Sequence, residues 1–291
     1  MSALDLVVQG ENVATHVVQE IAGLVQSMQV VEQTLPRHRV YRFATATPPP
    51  PDSETDLDLD ILADLEMFDY AWVPSRRKLS DYRLLAMDMD STLINIECID
   101  EIADFAGIKD KVADITRRAM QGELDWPQSL RERVALLAGL DQTVLEEIYR
   151  NRLRFSPGAE DLLAAARAKG IHTMLVSGGF TYFTDKLKQR LDFDYAFSNT
   201  LEIVAGKLTG KVVGPLCDAE GKAASVLKTA QFLGFAREQI MVMGDGANDL
   251  RMMAGAGTSI AWHARPIVRQ QASHAINFVG LDGVLGLFPA D

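Results

Sequence analysis

The rhythm of apolar and polar positions along the chain changes near residue 83. Before it, short runs at Leu4–Val8, Met28–Gln33, Arg39–Thr45 and Tyr70–Val73 predict strands. Two stretches with apolar residues three and four apart, Val13–Val25 and Leu57–Met67, predict amphipathic helices. The order βαββαβ is that of a small ferredoxin-like α+β module over residues 1–80. Within it the prolines from Pro48 to Pro51 read as a connection, and Asp52 to Asp60 as a solvated charge run.

Beyond Arg83 the apolar runs are continuous rather than alternating. Leu84–Met89, Thr173–Ser177, Ile240–Gly244 and Ser259–Trp262 read as strands separated by helical stretches, which predicts a mostly parallel sheet covered on both faces. A long helical insertion, roughly Glu97–Arg154, separates the first two strands and is placed to cap whatever lies at their ends. Leu201–Val213 alternates around Ala205-Gly206-Lys207 and predicts a hairpin. The expected organisation is therefore a module at 1–80 and a larger α/β domain at 81–291, with its core at 81–94 and 156–291 and its cap at about 95–155.

Composition narrows the class of partner. At 291 residues, 47% hydrophobic and 24% charged, the chain is ordinary globular material. Its formal net charge of -11 argues against a broad nucleic-acid surface, although local cations can still bind a small anionic substrate. Cys98 and Cys217 are too few for a disulfide framework, no apolar run is long enough to span a membrane, and no basic segment leads into an apolar stretch at the N-terminus. The simplest expectation is a cytoplasmic protein.

Three of the strands run into polar turns: Asp88-Met89-Asp90-Ser91-Thr92, Ser177-Gly178-Gly179, and Gly244-Asp245-Gly246-Ala247-Asn248-Asp249. An isolated Asp-x-Asp is commonly a turn or cap. In a parallel sheet, however, the carboxyl ends of the strands line one crevice, so these three turns should converge. Asp88 and Asp90 on one side of a strand end repel by about 4 kcal/mol at about 4 Å and an effective dielectric near 20 unless a cation joins them. Asp245 and Asp249 add carboxylates to the same edge, and Asn248 adds a neutral oxygen. An oxygen-only set suits Mg²⁺, whereas the lack of a His/Cys cluster makes zinc a poor alternative. Ser177 offers a hydroxyl, and Gly178 and Gly179 let backbone amides approach a charged oxygen. Lys222, at the start of a helix after Asp218-Ala219-Glu220-Gly221, can supply a point positive charge to a phosphate.

With Asp88, Ser177, Lys222 and Asp245 in this order, roughly residues 83 to 280 resemble the haloacid dehalogenase-like phosphatase superfamily. The resemblance implies a Rossmann-like parallel sheet with a helical cap. It implies that Asp88 attacks phosphorus, forming an aspartyl phosphate, and that Asp90 serves as general acid and then base. It further implies Mg²⁺ on Asp88, the Asp90 carbonyl and Asp245, with Ser177, Gly178, Lys222 and Asn248 around the phosphate and Asp249 in support. The blocks Asp90–Ala103, Met120–Trp126 and Ser129–Val134 are similar to those of the phosphoserine-hydrolysing members. That likeness implies Glu97 on a substrate ammonium, Arg133 on its carboxylate, and Met120, Trp126 and Gly179 shaping the pocket. Trp126 stands where those members usually have phenylalanine. The expected activity is hydrolysis of O-phosphoserine, the last step of serine biosynthesis; the alternative is a related phosphatase or phosphotransferase for another small phosphate ester. The N-terminal module resembles ACT-like domains in element order, and its expected role is structural or dimerising, as in a homodimer.

Overall fold

The computed structural model describes residues 3–290 and contains two sheets. The first is built from β1 (Leu4–Gly10), β2 (Val30–Thr34), β3 (Arg39–Phe43) and β4 (Asp69–Pro74), all antiparallel, in the order β2-β3-β1-β4. Two helices, α1 (Thr15–Leu24) and α2 (Glu54–Glu66), close one face over Leu6, Val8, Tyr41, Phe43 and Phe68. α2 begins three residues before the first apolar position of its periodic stretch because Ser53 caps it, its hydroxyl accepting the Asp56 amide at 3.3 Å.

The other face of this sheet is not free. Val7, Val40, Ala71 and Val73 pack into the same core as Tyr82, Val279, Val284, Leu287 and Phe288 of the larger unit. β1 is buried on both sides as a result, and at the seam the Asp69 carboxylate accepts the backbone amides of Asn277, Phe278 and Val279 at 2.5, 2.9 and 3.0 Å.

The second sheet has the order β11-β10-β9-β5-β6-β7-β8. Its strands are β5 (Leu84–Met87), β6 (His172–Phe180), β7 (Tyr195–Val204), β8 (Lys207–Val213), β9 (Ile240–Gly244), β10 (Thr258–Trp262) and β11 (His274–Ile276), parallel except for β8. Successive residues of the central strands serve opposite helix layers. Leu84, Ala86, Met174, Val176, Ile240 and Val242 face α9 (Ala219–Leu233), α10 (Leu250–Ala254) and α11 (Pro266–Gln271). Leu85, Met87, Leu175, Met241 and Met243 face α7 (Ala159–Ala168), α8 (Thr181–Leu191) and α12 (Gly283–Gly286). Strands buried on both faces explain why the sequence runs were continuous.

Two strand assignments differ from the pattern. β11, only three residues long and opening on His274, has no apolar run to announce it and exists through pairing with β10. β7 starts six residues before the hairpin, parallel to β6, then shifts register and turns antiparallel to β8. The insertion between β5 and β6 is helical throughout: α3 (Cys98–Phe105), α4 (Lys109–Met120), α5 (Trp126–Ala135) and α6 (Thr143–Asn151). Its two tethers meet at the Ile94–Phe155 bridge, and the loop before α6 hydrogen-bonds the β7–β8 turn through Gly139, Leu140 and Gln142. Among the described residues no helix is long and apolar enough to cross a membrane.

Candidate active site

β5 lies between β9 and β6, so the turns after β5 and β9 and the irregular end of β6, where its register against β7 shifts between Val176 and Phe180, share one crevice at the point where the chain crosses from one side of β5 to the other. Asp88 follows β5, and its amide still donates to the Met243 carbonyl of β9 at 3.0 Å. The turn beyond it places Ser91 at a φ of 55°, a left-handed conformation that reverses the chain and directs Asp90 back toward the crevice. Asp90 Oδ1 accepts the Cys98 amide at 3.2 Å, and a Cβ on Gly179 would lie 2.6 Å from Asp90 Oδ2; glycine there is what allows the carboxyl and the β6 turn to approach.

Lys222 is the electrostatic centre. It is 1% exposed, and its Nζ sits 2.7 Å from Asp88 Oδ2 and 2.8 Å from Asp249 Oδ1. Asp218 caps the helix that carries it, accepting the Gly221 amide at 2.8 Å. Burial opposes the lysine charge, but Asp88 and Asp249 outweigh it and hold the ammonium above its ordinary range. Asp249, 0% exposed, is clamped on its second oxygen by the Gly246 amide at 3.1 Å. Asp245 accepts the Thr92 hydroxyl at 2.9 Å. Ser177 Oγ accepts the Gly179 amide at 2.8 Å, which leaves its proton for an incoming oxygen.

Four carboxylates, Asp88, Asp90, Asp245 and Asp249, thus surround one buried lysine. Burial, then the neighbouring Asp249, push Asp88 well above the usual carboxylate range against the pull of Lys222. Burial holds Asp90 up at about 6 and, with Asp249, raises Asp245. This uncompensated negative charge is what a divalent cation would neutralise. Carboxylate oxygens of Asp88, Asp245 and Asp249 lie within 4.8 Å of one another, a hard oxygen set that fits such an ion. Both Asp249 oxygens are engaged, by Lys222 and the Gly246 amide, and both Asp88 oxygens by Lys222 and the Met89 amide, while Asp245 takes the Thr92 hydroxyl on Oδ1.

The cap forms the roof of a crevice of about 460 Å³. Glu97, Trp126 and Arg133 line it with Asp88, Asp90, Ser177, Gly178, Gly179, Asp245 and Asn248. Glu97 accepts the Ser91 hydroxyl at 2.7 Å, and withdrawal from water, then Asp90, lift its carboxyl to about 7. Arg133 is half-buried; burial lowers its pKa, while Asp100 and Glu97 counter that. The Trp126 indole lies against Gly178, where a Cβ would be 3.1 Å from Cζ2. Met120 is not in the lining: it is 67% exposed, in an adjacent groove with Ala113, Arg117 and Gln121. The last turn of α4 carries it to the outer edge of the cap.

Some residues of the site carried no signal in the sequence. Asn199, fully buried, donates to the carbonyls of Gly178 and Gly179 at 2.7 and 3.3 Å and accepts the Cys217 amide at 2.8 Å, fixing the β6 turn to the segment before α9. Arg265 and Asp100 also line the crevice. Each is a lone polar residue, distinguishable only by its place in space.

Residues 85–254 match the model of the haloacid dehalogenase-like hydrolase family. The chain is 54% identical over 215 residues to a phosphoserine phosphatase of Polaromonas sp., covering 72% of this chain and 91% of the relative. A solved probable phosphoserine phosphatase of Vibrio cholerae superposes with a TM-score of 0.83 at 38% identity, over 98% of this chain and 86% of that one. A substrate-bound phosphoserine phosphatase superposes with a TM-score of 0.67, also at 38% identity, over 72% of this chain and 99% of that one.

Proposed function

Because the chain belongs to the haloacid dehalogenase-like hydrolases, its crevice is the seat of a hydrolysis, and we propose that the bond broken is the phosphate ester of O-phosphoserine. The observation that carries the choice of ester is the pairing of one carboxylate and one guanidinium, Glu97 and Arg133, in the crevice lined by Asp88 and Ser177, with Lys222 buried against Asp88 at its floor. An amino acid head group carries an ammonium and a carboxylate, and its phosphate a further anion, so three complementary charges in one crevice of about 460 Å³ match three on the substrate.

In this reading the phosphate lies between the Lys222 ammonium, the Ser177 hydroxyl and the Gly178 amide, with Asn248 at its edge. Asp88 attacks phosphorus as the P–O bond to serine breaks, and Asp90 gives its proton to the departing serine oxygen. A carboxyl held at about 6 is protonated often enough near neutrality to do this and ionised often enough to take a proton afterwards. Water then attacks the aspartyl phosphate, Asp90 removes its proton, and phosphate leaves with Asp88 restored. Glu97 and Arg133 bind the serine head, Trp126 and Gly179 shape the pocket, and Met120 would act only by supporting the cap. The family implies a divalent metal, in this reading Mg²⁺, which Asp88, Asp245 and the Asp90 carbonyl would hold and which would neutralise the charge that otherwise repels the nucleophile.

A cytoplasmic location goes with this reading, supported by two buried, unpaired cysteines. We take residues 1–80 as one domain and 81–291 as the catalytic one, with a dimer formed through the first; the exposed Val30 and Val31 on edge strand β2 support that contact. The deciding experiment is hydrolysis with Mg²⁺ of phosphoserine, phosphothreonine, p-nitrophenyl phosphate and a sugar phosphate. A kcat/KM for phosphoserine at least about 100-fold above the others supports the reading, and equal values overturn it.

A further inference from the structure

Where the N-terminal sheet meets the catalytic core there is a buried polar cluster that the chemistry does not use. His38, in the β2–β3 turn, and Asp282, just before α12, have 0% side-chain exposure, and His38 Nδ1 is 3.7 Å from Asp282 Oδ2. Neither imidazole nitrogen and neither carboxylate oxygen has a hydrogen-bond partner. Withdrawing an imidazole and a carboxylate from water in this way costs several kcal/mol unless each offsets the other. The two lie against each other without a further partner, which sets a residue of the module beside one of the core.

Asp282 in turn lies against the hinge of the cap. A Cβ on Gly158, whose φ is +76°, would be 2.1 Å from Asp282 Oδ1, and one on Gly280 would be 2.4 Å away. The Leu281 amide donates to the Pro157 carbonyl at 2.7 Å. One residue nearer the cap, Ser156 donates its amide to Leu93 at 2.9 Å and its hydroxyl to the Thr92 carbonyl at 2.6 Å. These are the two tethers on which the cap sits, and Thr92 is the residue whose hydroxyl holds Asp245. Arg37, next to His38, reaches Asp161 on α7 at 3.4 Å and secures the same turn.

We propose that the N-terminal module braces the cap hinge, with His38 a positioning residue that acts through Asp282 on the Pro157–Gly158 backbone and so holds the cap over the crevice. A tether bends where its backbone can change φ and ψ. At Gly158 that freedom is spent: the left-handed conformation is packed on the Asp282 carboxylate, whose other oxygen has the buried His38 ring behind it. Bending is therefore confined to the cap side of Ser156, and the cap stays close enough for Glu97 and Arg133 to reach a bound ligand. Only the kinetic readout of this proposal rests on the phosphoserine reading.

The test uses the full chain with His38→Ala, with Asp282→Asn as a second variant and His38→Gln as the conservative rescue. Amide exchange at 92–97 and 153–158 should quicken at least about threefold in the first two, with Ile240–Gly244 unchanged. KM for phosphoserine should rise about three- to tenfold with kcat within about twofold, while kcat/KM for p-nitrophenyl phosphate holds within about twofold. His38→Gln, which keeps a donor facing Asp282, should recover most of both effects. Unchanged tether exchange in both variants overturns the brace. So does quickened exchange throughout the chain with equal losses on both substrates, which would make the pair a general stabiliser. If the wild type fails to hydrolyse phosphoserine, the substrate reading falls while the exchange comparison still decides the brace.

Discussion

Lys222→Met removes the one buried cation among four carboxylates and leaves their repulsion in place. At 2.7 and 2.8 Å, each of the two contacts is worth roughly 6 kcal/mol of attraction at an effective dielectric of about 20. Much of this is offset by the cost of burying the ions, and stripping one partner from a buried pair leaves a net loss of about 3–5 kcal/mol. For a chain of this size that corresponds to a fall in Tm of very roughly 6–20 °C, read by circular dichroism without divalent metal. The pH dependence carries the argument. Burial and Asp249 already raise Asp88, and losing the lysine raises it further. A carboxyl whose pKa is raised by folding costs stability once pH exceeds its unfolded value, so the gap between wild type and variant should be widest at pH 8 and should narrow as pH falls toward 5 and the cluster takes up protons. Activity should fall by at least about 100-fold, because a preorganised cation for the phosphoryl oxygens is lost. A Tm gap that is the same at pH 5 and pH 8 would refute the reasoning, since it would trace the loss to packing alone.

Asp90→Asn should lower kcat on phosphoserine by about 10²–10⁴, and less on p-nitrophenyl phosphate, whose leaving group needs no proton; equal losses on both substrates would argue against the acid role. In the wild type, kcat/KM for the ester should decline as pH rises past the Asp90 value of about 6, and that limb should vanish in the variant. Arg133→Met should raise KM for phosphoserine about 10–100-fold while leaving aryl phosphate hydrolysis within a few-fold, checked by steady-state kinetics. Asp69→Ala should destabilise the chain by about 2–4 kcal/mol, because three amides at the seam, one buried and two partly buried, lose their acceptor; urea unfolding measures it, and the crevice residues should be unaffected.

Much of the catalytic edge was legible because its signals are local. Continuous apolar runs ending in Asp88, Ser177 and Asp245 named three strand ends, and parallel topology requires such ends to meet. The cap was visible as a helical stretch between two strands. The match of whole blocks around Glu97 and Arg133 placed both near the crevice, where the structure has them. The same block reasoning put Met120 beside them, but a residue at the end of a helix turns with that helix, and α4 carries its side chain outward.

What the sequence determined by itself was the strands with continuous or alternating apolar runs, though not β11 or the parallel half of β7, together with the charges at their ends and the residue types the chemistry needs, because each depends on spacings of a few residues. Tertiary structure alone decided that Lys222 bridges Asp88 and Asp249, that Asn199 pins the end of β6, and that the N-terminal sheet packs β1 between two layers and sets His38 against Asp282 behind the cap hinge. These contacts join residues from 18 to 244 positions apart (Asn199 to Cys217 at the near end, His38 to Asp282 at the far end), where only packing, not periodicity, chooses the partner.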